Sequence, residues 1–390
     1  MSSAARSGQG FGANIDERRV RVFVVEPYFS GSHRAWAEGL AHHSEHEVHL
    51  ITHEGAFWRW RLRGASVTVA EQTAALIARV GPPDVLLVSD FVNLPAYLGL
   101  VRRTIGDPGV GLYLHENQLS YPLGPNQQPD EALSLVNWVS MVVADQVFVN
   151  SQFHHRELFE ELPKLLNRAP DQNHQHLLDG VAAKTSVLPI GIDLADVRSR
   201  PDEPAGTEPP LVLWAHRWDH DKNPRGVFRA LYCLAERGVP FRLAIVGANE
   251  RVDPQEFHEV RERLADRIDH CGYLERAAYV ELLAKTDVVV SAAHHEFFGI
   301  AMVEAIVAGA VPVLPDRLSY PEIVPAEFHD AALYTGGQLT ARLDDVLNNL
   351  SSYRARTEGL SERLRRYDWA TVAPQYDAAF DRLHSRGSTQ

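Results

Sequence analysis

The sequence contains little cysteine and no long hydrophobic run. Among its 390 residues are only two cysteines, Cys233 and Cys271, which form neither a disulfide framework nor a metal-ligand spacing. We therefore expect a reducing, cytoplasmic location. No stretch reaches the roughly 18 uninterrupted apolar residues of a membrane span, so the sequence predicts no membrane attachment.

Basic residues are in the minority. The chain has 38 Lys and Arg against 51 Asp and Glu, which gives a net charge of −13. A protein that binds phosphates non-specifically over its whole surface is more often basic. The charge balance therefore leaves room only for a local basic patch as a nucleic-acid contact.

Several common catalytic signatures are missing as well. The chain has no HExxH metalloprotease motif, no Walker A loop and no nucleophile elbow. The many histidines of residues 42–53 fall across a predicted helix end and a strand, so their spacing does not favour a metal site. If the protein is an enzyme, its catalytic residues must belong to other motifs.

The chain is too long for one ordinary core, and its pattern predicts two α/β domains. Residues 1–18 are small and polar and are predicted to be a disordered leader. Strand-like and helix-like runs then alternate over 19–198, stop at the proline-rich linker 199–210, and resume over 211–366. Such alternation predicts parallel sheets covered by helices, here as two Rossmann-like domains. Residues 367–390 have the period of a final amphipathic helix.

Polar clusters follow several of the predicted strands. They include "HENQL" (115–119), "AHRWDHDK" (215–222) and "AAHHEFFG" (292–299). Ligands of open parallel sheets sit beyond the carboxyl ends of the strands. A site between the two domains would bring these clusters together.

The stretch "HHEFFGIAMVEA" predicts a polar loop that leads into an apolar helix. Glu296 precedes this helix and Glu304 lies one to two turns inside it. Unpaired N–H groups at a helix start hold phosphate, so Phe298, Gly299 and Ile300 are candidates for that contact. Glu296 would reach sugar hydroxyls and Glu304 a ribose diol. The alternative is an N-cap glutamate and a solvated helix glutamate.

Arg217 and Lys222 follow the first strand of the second domain and precede a helix start marked by Asn-Pro. A guanidinium and an ammonium on one loop can hold a diphosphate and stabilise it as a leaving group. The alternative is a pair of surface cations that face Asp219 and Asp221.

Two further elements stay open from the residues alone. Gly31, with its small neighbours, forms a turn that allows close approach of a ligand, but it is not a GxGxxG motif. It fits a structural turn equally well. His115 fits either a site or a satisfied histidine in a loop at the end of a strand.

Taken in order, these elements resemble the retaining GT-B glycosyltransferases of the family-4 type. The resemblance rests on two Rossmann-like halves, the early glycine turn, the Arg/Lys pair and the Glu-x7-Glu element. The strings "EPYFSGSH", "FWRWRLRGAS", "HENQLSYP", "VFVNSQFH", "HRWDHDKNP", "HEFFGIAMVEA" and "YPEIVPAEF" are closer to the tRNA-queuosine α-mannosyltransferase family. This resemblance covers about residues 20 to 380 and implies a GT-B fold whose final helix returns to the first domain.

The resemblance also implies a donor site for GDP-mannose that needs no metal and no other cofactor. The implied catalytic residues are His115, Arg217, Lys222 and Glu296. The implied donor-binding residues are Gly31, Ser32, His33, Phe298, Gly299, Ile300 and Glu304. Transfer would retain the anomeric configuration.

The implied acceptor is queuosine at the wobble position of tRNA-Asp. An unstacked base calls for aromatic side chains that stack and arginines that touch phosphates. The candidate acceptor residues are Trp58, Arg59, Trp60, Arg61, Arg63, Glu116, Asn117 and Gln118. The alternative for the first five is a surface segment whose tryptophans belong to the core.

Two other functions stay open at this point. One is the same type of enzyme with a small-molecule or glycan acceptor, and the other is a non-catalytic protein that binds nucleotide-sugar or RNA. The sequence makes no prediction of oligomeric state.

Overall fold

The structure is a computed structural model that describes residues 19–120, 130–197, 208–247 and 254–387. The predicted leader and most of the predicted linker lie outside these ranges. Two six-stranded parallel sheets, one in each half of the chain, confirm the predicted α/β class. None of the described helices is long and apolar enough to cross a bilayer.

The first domain is built on strands with the order β2-β1-β3-β4-β5-β6. Its strands are β1 (Arg21–Phe29), β2 (Glu47–Glu54), β3 (Val85–Ser89), β4 (Gly109–Leu114), β5 (Gln146–Val149) and β6 (Thr185–Val187). Its helices are α1 (Gly31–His43), α2 (Trp58–Val80), α3 (Leu94–Val101), α4 (Glu131–Val143), α5 (Gln152–Leu166) and α6 (Leu178–Ala183). The central strands β3 and β4 are buried along their whole length, which explains their continuous apolar sequences.

The second domain has the strand order β12-β11-β10-β7-β8-β9. Its strands are β7 (Leu211–Ala215), β8 (Arg242–Val246), β9 (Ile268–Gly272), β10 (Val288–Val290), β11 (Val311–Pro315) and β12 (Leu333–Tyr334). Its helices are α7 (Pro224–Glu236), α8 (Gln255–Arg263), α9 (Arg276–Leu283), α10 (Ile300–Val307), α11 (Tyr320–Ile323), α12 (His329–Ala332), α13 (Leu339–Asn348), α14 (Leu350–Arg356) and α15 (Leu360–Leu364). Helix α7 begins where Asn-Pro predicted it, because the side chain of Asn223 accepts the N–H of Gly226 at 3.1 Å.

Each strand order reverses direction once, and this reversal fixes where a ligand can bind. In the first domain β2 lies on one side of β1 and β3 on the other, so the chain crosses over β1 between them. In the second domain the corresponding point lies between β7 and β10. Helices leave the sheet in opposite directions at such a switch point and open a crevice beyond the strand ends. The polar clusters predicted from sequence follow these strands.

The last helix, α16 (Trp369–Gly387), returns to the first domain as predicted. The indole of Trp369 is buried, and a Cβ on Gly39 of α1 would lie 2.1 Å from its Nε1. A Cβ on Gly109 of β4 would lie 2.4 Å from the carbonyl oxygen of Leu383. Glycine is thus required at both positions because the final helix packs directly on the backbone.

Replacing Gly39 by Ala should therefore destabilise the protein. The added methyl would overlap the Trp369 ring, and overpacking of this kind costs about 1–3 kcal/mol. Urea unfolding followed by circular dichroism measures the change. Gly99→Ala in α3 is the matched control, since nothing lies within 4 Å of its Cβ, and it should be neutral or stabilise slightly. Equal stabilities of the two variants would contradict the packing described here.

Candidate active site

The turn after β1 leaves space for a ligand. Gly31 begins α1 with φ of +49°, a left-handed conformation that favours glycine, and nothing lies within 4 Å of the position of its missing Cβ. Gly31 and Ser32 are exposed, whereas His33 is buried beneath them. The N-terminus of a helix carries free N–H groups and the positive end of its dipole. This turn can accept an anionic group on its solvent-exposed side.

A carboxylate lies between two histidines under this turn. Oε2 of Glu26, fully buried in β1, is 3.0 Å from Nδ1 of His33 and 3.5 Å from Nε2 of His115. Burial opposes the charge, but the two histidines hold the pKa of Glu26 well below its usual range. Burial opposes the charge on His33 too, yet Glu26 raises the pKa of His33 overall. The pair is therefore a buried ion pair.

His115 has the opposite charge state. Burial and the neighbouring His33 lower the pKa of His115 to about 4, so its imidazole is neutral at neutral pH. Its ring lies 4.1 Å from that of His33, with an angle of 50° between the planes, and is edge-on to Trp36 at 4.6 Å between centroids. A neutral, rigidly packed imidazole can exchange hydrogen bonds with a sugar hydroxyl without adding charge.

Asp90, just after β3, holds the loop that carries His115. Its carboxylate accepts the backbone N–H groups of His115 and Glu116 at 3.3 and 3.4 Å. Burial, together with the charges of Glu116 and Glu26, raises the pKa of Asp90 to about 8. Glu26 and Asp90 were not predicted as site residues. In the sequence, each of them can be recognised only as an acidic residue at the end of an apolar, strand-like run.

In the second domain, Lys222 joins two loops. Its ammonium donates to the carbonyl oxygen of His295 at 2.8 Å and lies 3.0 Å from Oδ2 of Asp221 and 3.3 Å from Oε2 of Glu296. Burial alone would lower the pKa of Lys222, but Glu296 and Asp221 raise it overall. Lys222 is therefore charged, and it brings Glu296 next to the predicted diphosphate site.

Arg217 is exposed on the same loop, next to the buried His216. Nε2 of His216 lies 3.1 Å from the hydroxyl of Ser291 at the end of β10. Burial and the nearby Lys222 lower the pKa of His216 to about 4. A neutral His216 ties the ends of β7 and β10 together and leaves Arg217 and Lys222 as the cations of the loop.

The helix that follows Glu296 starts as predicted. Gly299 precedes α10 with φ of +99°, and the carbonyl of Phe298 accepts the hydroxyl of Ser319 at 3.0 Å. This geometry fixes the backbone of residues 298–300 at the start of the helix. The side chain of Glu296 is 17% exposed and faces the same edge as Lys222.

Glu304 is more constrained than the sequence suggested. Its carboxylate is buried and paired with Arg276, whose guanidinium also binds Asp196 at 2.7 and 3.0 Å and the carbonyl oxygen of Asp193 at 2.8 Å. Burial raises the pKa of Glu304 in spite of this partner. Arg276, which was not predicted, thus connects the candidate ribose ligand to the segment that joins the domains.

The Arg/Trp segment forms the start of α2 next to the glycine turn. A Cβ on Gly55 would lie 2.1 Å from Oγ of Ser30, so the two loops are in contact. Trp60 is 71% exposed, whereas Trp58 packs edge-on to Phe91 with ring centroids 6.4 Å apart. The alternative with both tryptophans in the core is therefore wrong for Trp60.

The three arginines of this segment have different environments. Arg59 lies 5.1 Å from the centre of the Trp58 ring, Arg61 donates to the carbonyl oxygen of Glu54 at 3.2 Å, and Arg63 pairs with Asp130. Arg63 is exposed, and the other two are half-buried. All three lie in the first two turns of α2, together with the exposed Trp60.

Three polar residues follow His115. The side-chain oxygen of Asn117 accepts the N–H groups of Leu119 and Ser120, both at 3.1 Å, which favours loop support for this residue. Gln118 accepts the hydroxyl of Ser134 through its backbone. Within the described ranges the carboxylate of Glu116 makes no hydrogen bond or ion pair, which leaves it free to meet an acceptor.

Two groups of side chains in the described ranges are close enough to hold a metal ion. They are Glu26, His33 and His115 in the first domain and Asp219, His220 and Asp221 in the second. In both groups a carboxylate already pairs with a histidine of the same group, Glu26 with His33 at 3.0 Å and Asp219 with His220 at 2.7 Å. Electrostatics inside each group thus account for the clustering without an ion.

The fold and the site together define a GT-B glycosyltransferase. The structure is similar to sucrose-phosphate synthase from Thermosynechococcus elongatus, with a TM-score of 0.72 and 18% identity over 94% of this chain and all of that one. It is also similar to HepE from Anabaena in complex with UDP and glucose, with a TM-score of 0.66 and 14% identity over 93% of this chain and all of that one. Residues 197–361 match the family described as glycosyl transferases group 1.

The particular family follows from the first domain. Residues 21–192 match the tRNA-queuosine alpha-mannosyltransferase N-terminal family. The chain is 32% identical to the tRNA-queuosine alpha-mannosyltransferase of Drosophila melanogaster over 375 residues, which are 93% of this chain and 96% of the relative. It is 25% identical to the GDP-mannose:cellobiosyl-diphosphopolyprenol alpha-mannosyltransferase of Xanthomonas campestris over 53% of this chain and 56% of the relative. The chain belongs to the tRNA-queuosine alpha-mannosyltransferase family.

Replacing Glu26 by Gln should change how stability depends on pH. Because the pKa of His33 is raised in the folded protein, the stabilisation from the Glu26–His33 pair is complete below about pH 6.5 and is lost as the pH rises through the raised value. We expect the variant to be less stable than the wild type by about 1–3 kcal/mol at pH 7, with a smaller gap at pH 9. Urea titrations at both pH values measure the gap.

The control is Glu47→Gln, whose carboxylate pairs with Arg21 and His49 at the sheet edge and is 43% exposed. Such a surface pair contributes about 0–1 kcal/mol, so the control should stay close to the wild type at both pH values. A gap for Glu26→Gln that is equally large at pH 7 and pH 9 would rule out a charged His33.

Proposed function

We propose that this protein transfers mannose from GDP-mannose, with retention of configuration, to the cyclopentenediol of queuosine at the wobble position of tRNA-Asp. The observation that carries the proposal is that one fold contains both features: a loop with Arg217 and Lys222 in the second domain, and a buried Glu26–His33–His115 cluster in the first. The first half of the chain matches a family named for this reaction, which supports the acceptor.

The reaction depends on charge at the leaving group. As the bond from the anomeric carbon to the diphosphate breaks, negative charge develops on the departing oxygen. Arg217 can bind it with two N–H groups, and Lys222 can turn from Asp221 and Glu296 towards it as a point charge. Electrostatic stabilisation of this kind is typically the largest catalytic contribution.

The sugar would lie between the domains. Glu296 accepts hydrogen bonds from its hydroxyls, and neutral His115 contacts it from the first domain. Retention without a named carboxylate nucleophile favours attack from the face of the leaving group, with the phosphate oxygen taking the acceptor proton. A covalent glycosyl-enzyme trapped with Glu296→Gln, or a β-linked product, would contradict this route.

The donor and the metal requirement form part of the same proposal. Relatives of this chain carry GDP-mannose in their names, including an enzyme of Xanthomonas campestris, which supports guanosine as the base. The Arg217/Lys222 pair supplies the positive charge that a divalent ion would otherwise provide, so we propose transfer without a metal. A tRNA acceptor also implies that the protein works in the cytoplasm.

The experiment combines the protein with labelled GDP-mannose and total tRNA from cells with and without queuosine, each with and without EDTA. Label should enter only queuosine-containing tRNA, at a rate that EDTA does not change, and nucleoside mass analysis should show mannosyl-queuosine. Label in a glycan or a small molecule instead would identify a different acceptor. Tight donor binding without turnover would identify a non-catalytic protein.

Replacing Arg217 by Ala should lower kcat about 10²–10³-fold, because one donor to the developing negative charge is lost. Arg217 is exposed, so the fold should persist, which thermal unfolding can check. The matched control is Arg225→Ala, an exposed arginine at the start of α7 that pairs with Glu256 at 3.0 Å. A variant at Arg217 with the kcat of the control would remove this residue from the mechanism.

Replacing Arg59, Arg61 and Arg63 together by Ala should weaken tRNA binding. The slope of log affinity against log salt concentration should fall by about one for each lost phosphate contact, while slow hydrolysis of the donor continues. Filter binding at several salt concentrations measures both. A control variant that lacks Arg79, Arg102 and Arg103, all exposed, removes the same charge from the end of α2 and from the turn after α3. Equal losses in both variants would indicate a bulk charge effect only.

A further inference from the structure

Glu322 connects the second domain to the first. It lies in the short helix α11, and its two carboxylate oxygens accept the backbone N–H groups of Gln152 and Phe153 at 2.8 and 2.9 Å. These are the first N–H groups of α5, a helix of 15 residues in the first domain. The partners are 170 residues apart in the sequence.

The chemistry of this contact is favourable but reversible. The first N–H groups of a helix have no partner inside the helix, and the helix dipole adds positive charge at this end. Ser151 accepts the third of these groups, the N–H of His154, within the first domain at 3.0 Å. Glu322 supplies partners for the other two from across the cleft. Water can replace Glu322 when the domains separate, so the contact depends on closure.

A second contact joins the same helix start to the loop that carries Glu296. The ring of Phe297 stacks on that of His154 at 4.1 Å with an angle of 20° between the planes. Phe297 directly follows Glu296 in the chain. The start of α5 is therefore held by α11 through Glu322 and by the segment that carries Glu296 through Phe297.

The start of α5 is linked in turn to the loop of His115. Nδ1 of His154 lies 3.1 Å from Oδ1 of Asn150, and Nδ2 of Asn150 donates to the carbonyl oxygen of His115 at 2.8 Å. A continuous set of buried contacts thus runs from Phe297 in the second domain to His115 in the first. The distance between the two sides of the sugar site is set where α5 meets the second domain.

The backbone of α11 at Glu322 is also held in place. The guanidinium of Arg366 donates to the carbonyl oxygens of Glu322 and Ile323, both at 3.0 Å. Arg366 lies just before α16, the helix that returns to the first domain. Glu322 is therefore attached at its backbone to the returning segment and at its side chain to α5.

We propose that Glu322 is a positioning residue for glycosyl transfer, which fastens the two domains in the closed arrangement and so sets Glu296 opposite His115. This proposal rests on the proposed function for its effect on catalysis. It does not involve the nucleotide contacts themselves, because Glu322 touches the first domain and not the loop of Arg217 and Lys222. The role should thus appear mainly in turnover and in closure, and in nucleotide affinity only through the coupling of GDP binding to closure.

The experiment compares Glu322→Ala and Glu322→Gln with the wild type. In Glu322→Ala we expect kcat to fall about 10-fold to 100-fold, because two charge-assisted hydrogen bonds are lost in the closed state. Glu322→Gln keeps one oxygen acceptor, so its kcat should lie between that of the wild type and that of Glu322→Ala. The Kd for GDP, measured by calorimetry, should rise by a smaller factor than kcat falls, because the nucleotide contacts are intact and only the part of the affinity that comes from closure is lost.

Closure is measured directly by small-angle X-ray scattering. GDP should reduce the radius of gyration of the wild type, and Glu322→Ala should show a smaller reduction. The matched control is Glu327→Ala, since Glu327 is an exposed carboxylate in the segment after α11 whose partner Arg363, at 3.0 Å, lies in the second domain. The control should behave as the wild type in every measurement.

Three results would overturn the proposal. They are a kcat of Glu322→Ala equal to that of Glu327→Ala, a loss of GDP affinity as large as the loss of kcat, and unchanged compaction in Glu322→Ala. If the wild type itself transferred no mannose to tRNA, the proposed function would fail. The scattering comparison would still decide whether Glu322 closes the domains.

Discussion

The donor half of the site depends on the buried ammonium of Lys222. Burial alone would lower the pKa of this lysine, yet the neighbouring Glu296 and Asp221 raise it overall. In return, Lys222 holds two loops that come from opposite sides of the switch point, one after β7 and one after β10. The geometry of the strand ends and the electrostatics of the site are therefore linked, because the charge of Lys222 joins the same two loops that hydrogen bonds from His216 to Ser291 and from Asn223 to Ala292 also hold together.

The first domain uses a carboxylate for the corresponding purpose. Glu26 contacts two adjacent histidines that differ in charge state: His33 is its ionic partner, whereas burial and the nearby His33 keep His115 neutral. In the proposed function, the positive charge of His33 beneath the glycine turn would favour a diphosphate at that turn. The uncharged imidazole of His115 would equally suit the proposed sugar site, where extra charge would have to be desolvated.

The sequence was sufficient to locate those residues whose position depends on the local chain. The positions of Arg217 and Glu296 in the fold could be predicted because each follows a strand and precedes a helix start; their roles remain predictions. Glu26, Arg276 and Glu322 could not be predicted in the same way. Their partners lie in other elements, and one, Glu322, binds a helix start 170 residues away. Periodicity predicts the elements and the parallel class, but contacts between distant elements require the folded arrangement.

The glycines that receive the final helix have a consequence for how the chain folds during synthesis. Gly39 and Gly109 lie early in the chain, and their backbones are covered by Trp369 and Leu383 near its end. A domain formed from the first part of a chain usually folds as soon as it has left the ribosome. Here that domain keeps one uncovered flank throughout synthesis of the second domain. Its last packing step waits for the end of translation, so truncated chains would expose this flank to quality control.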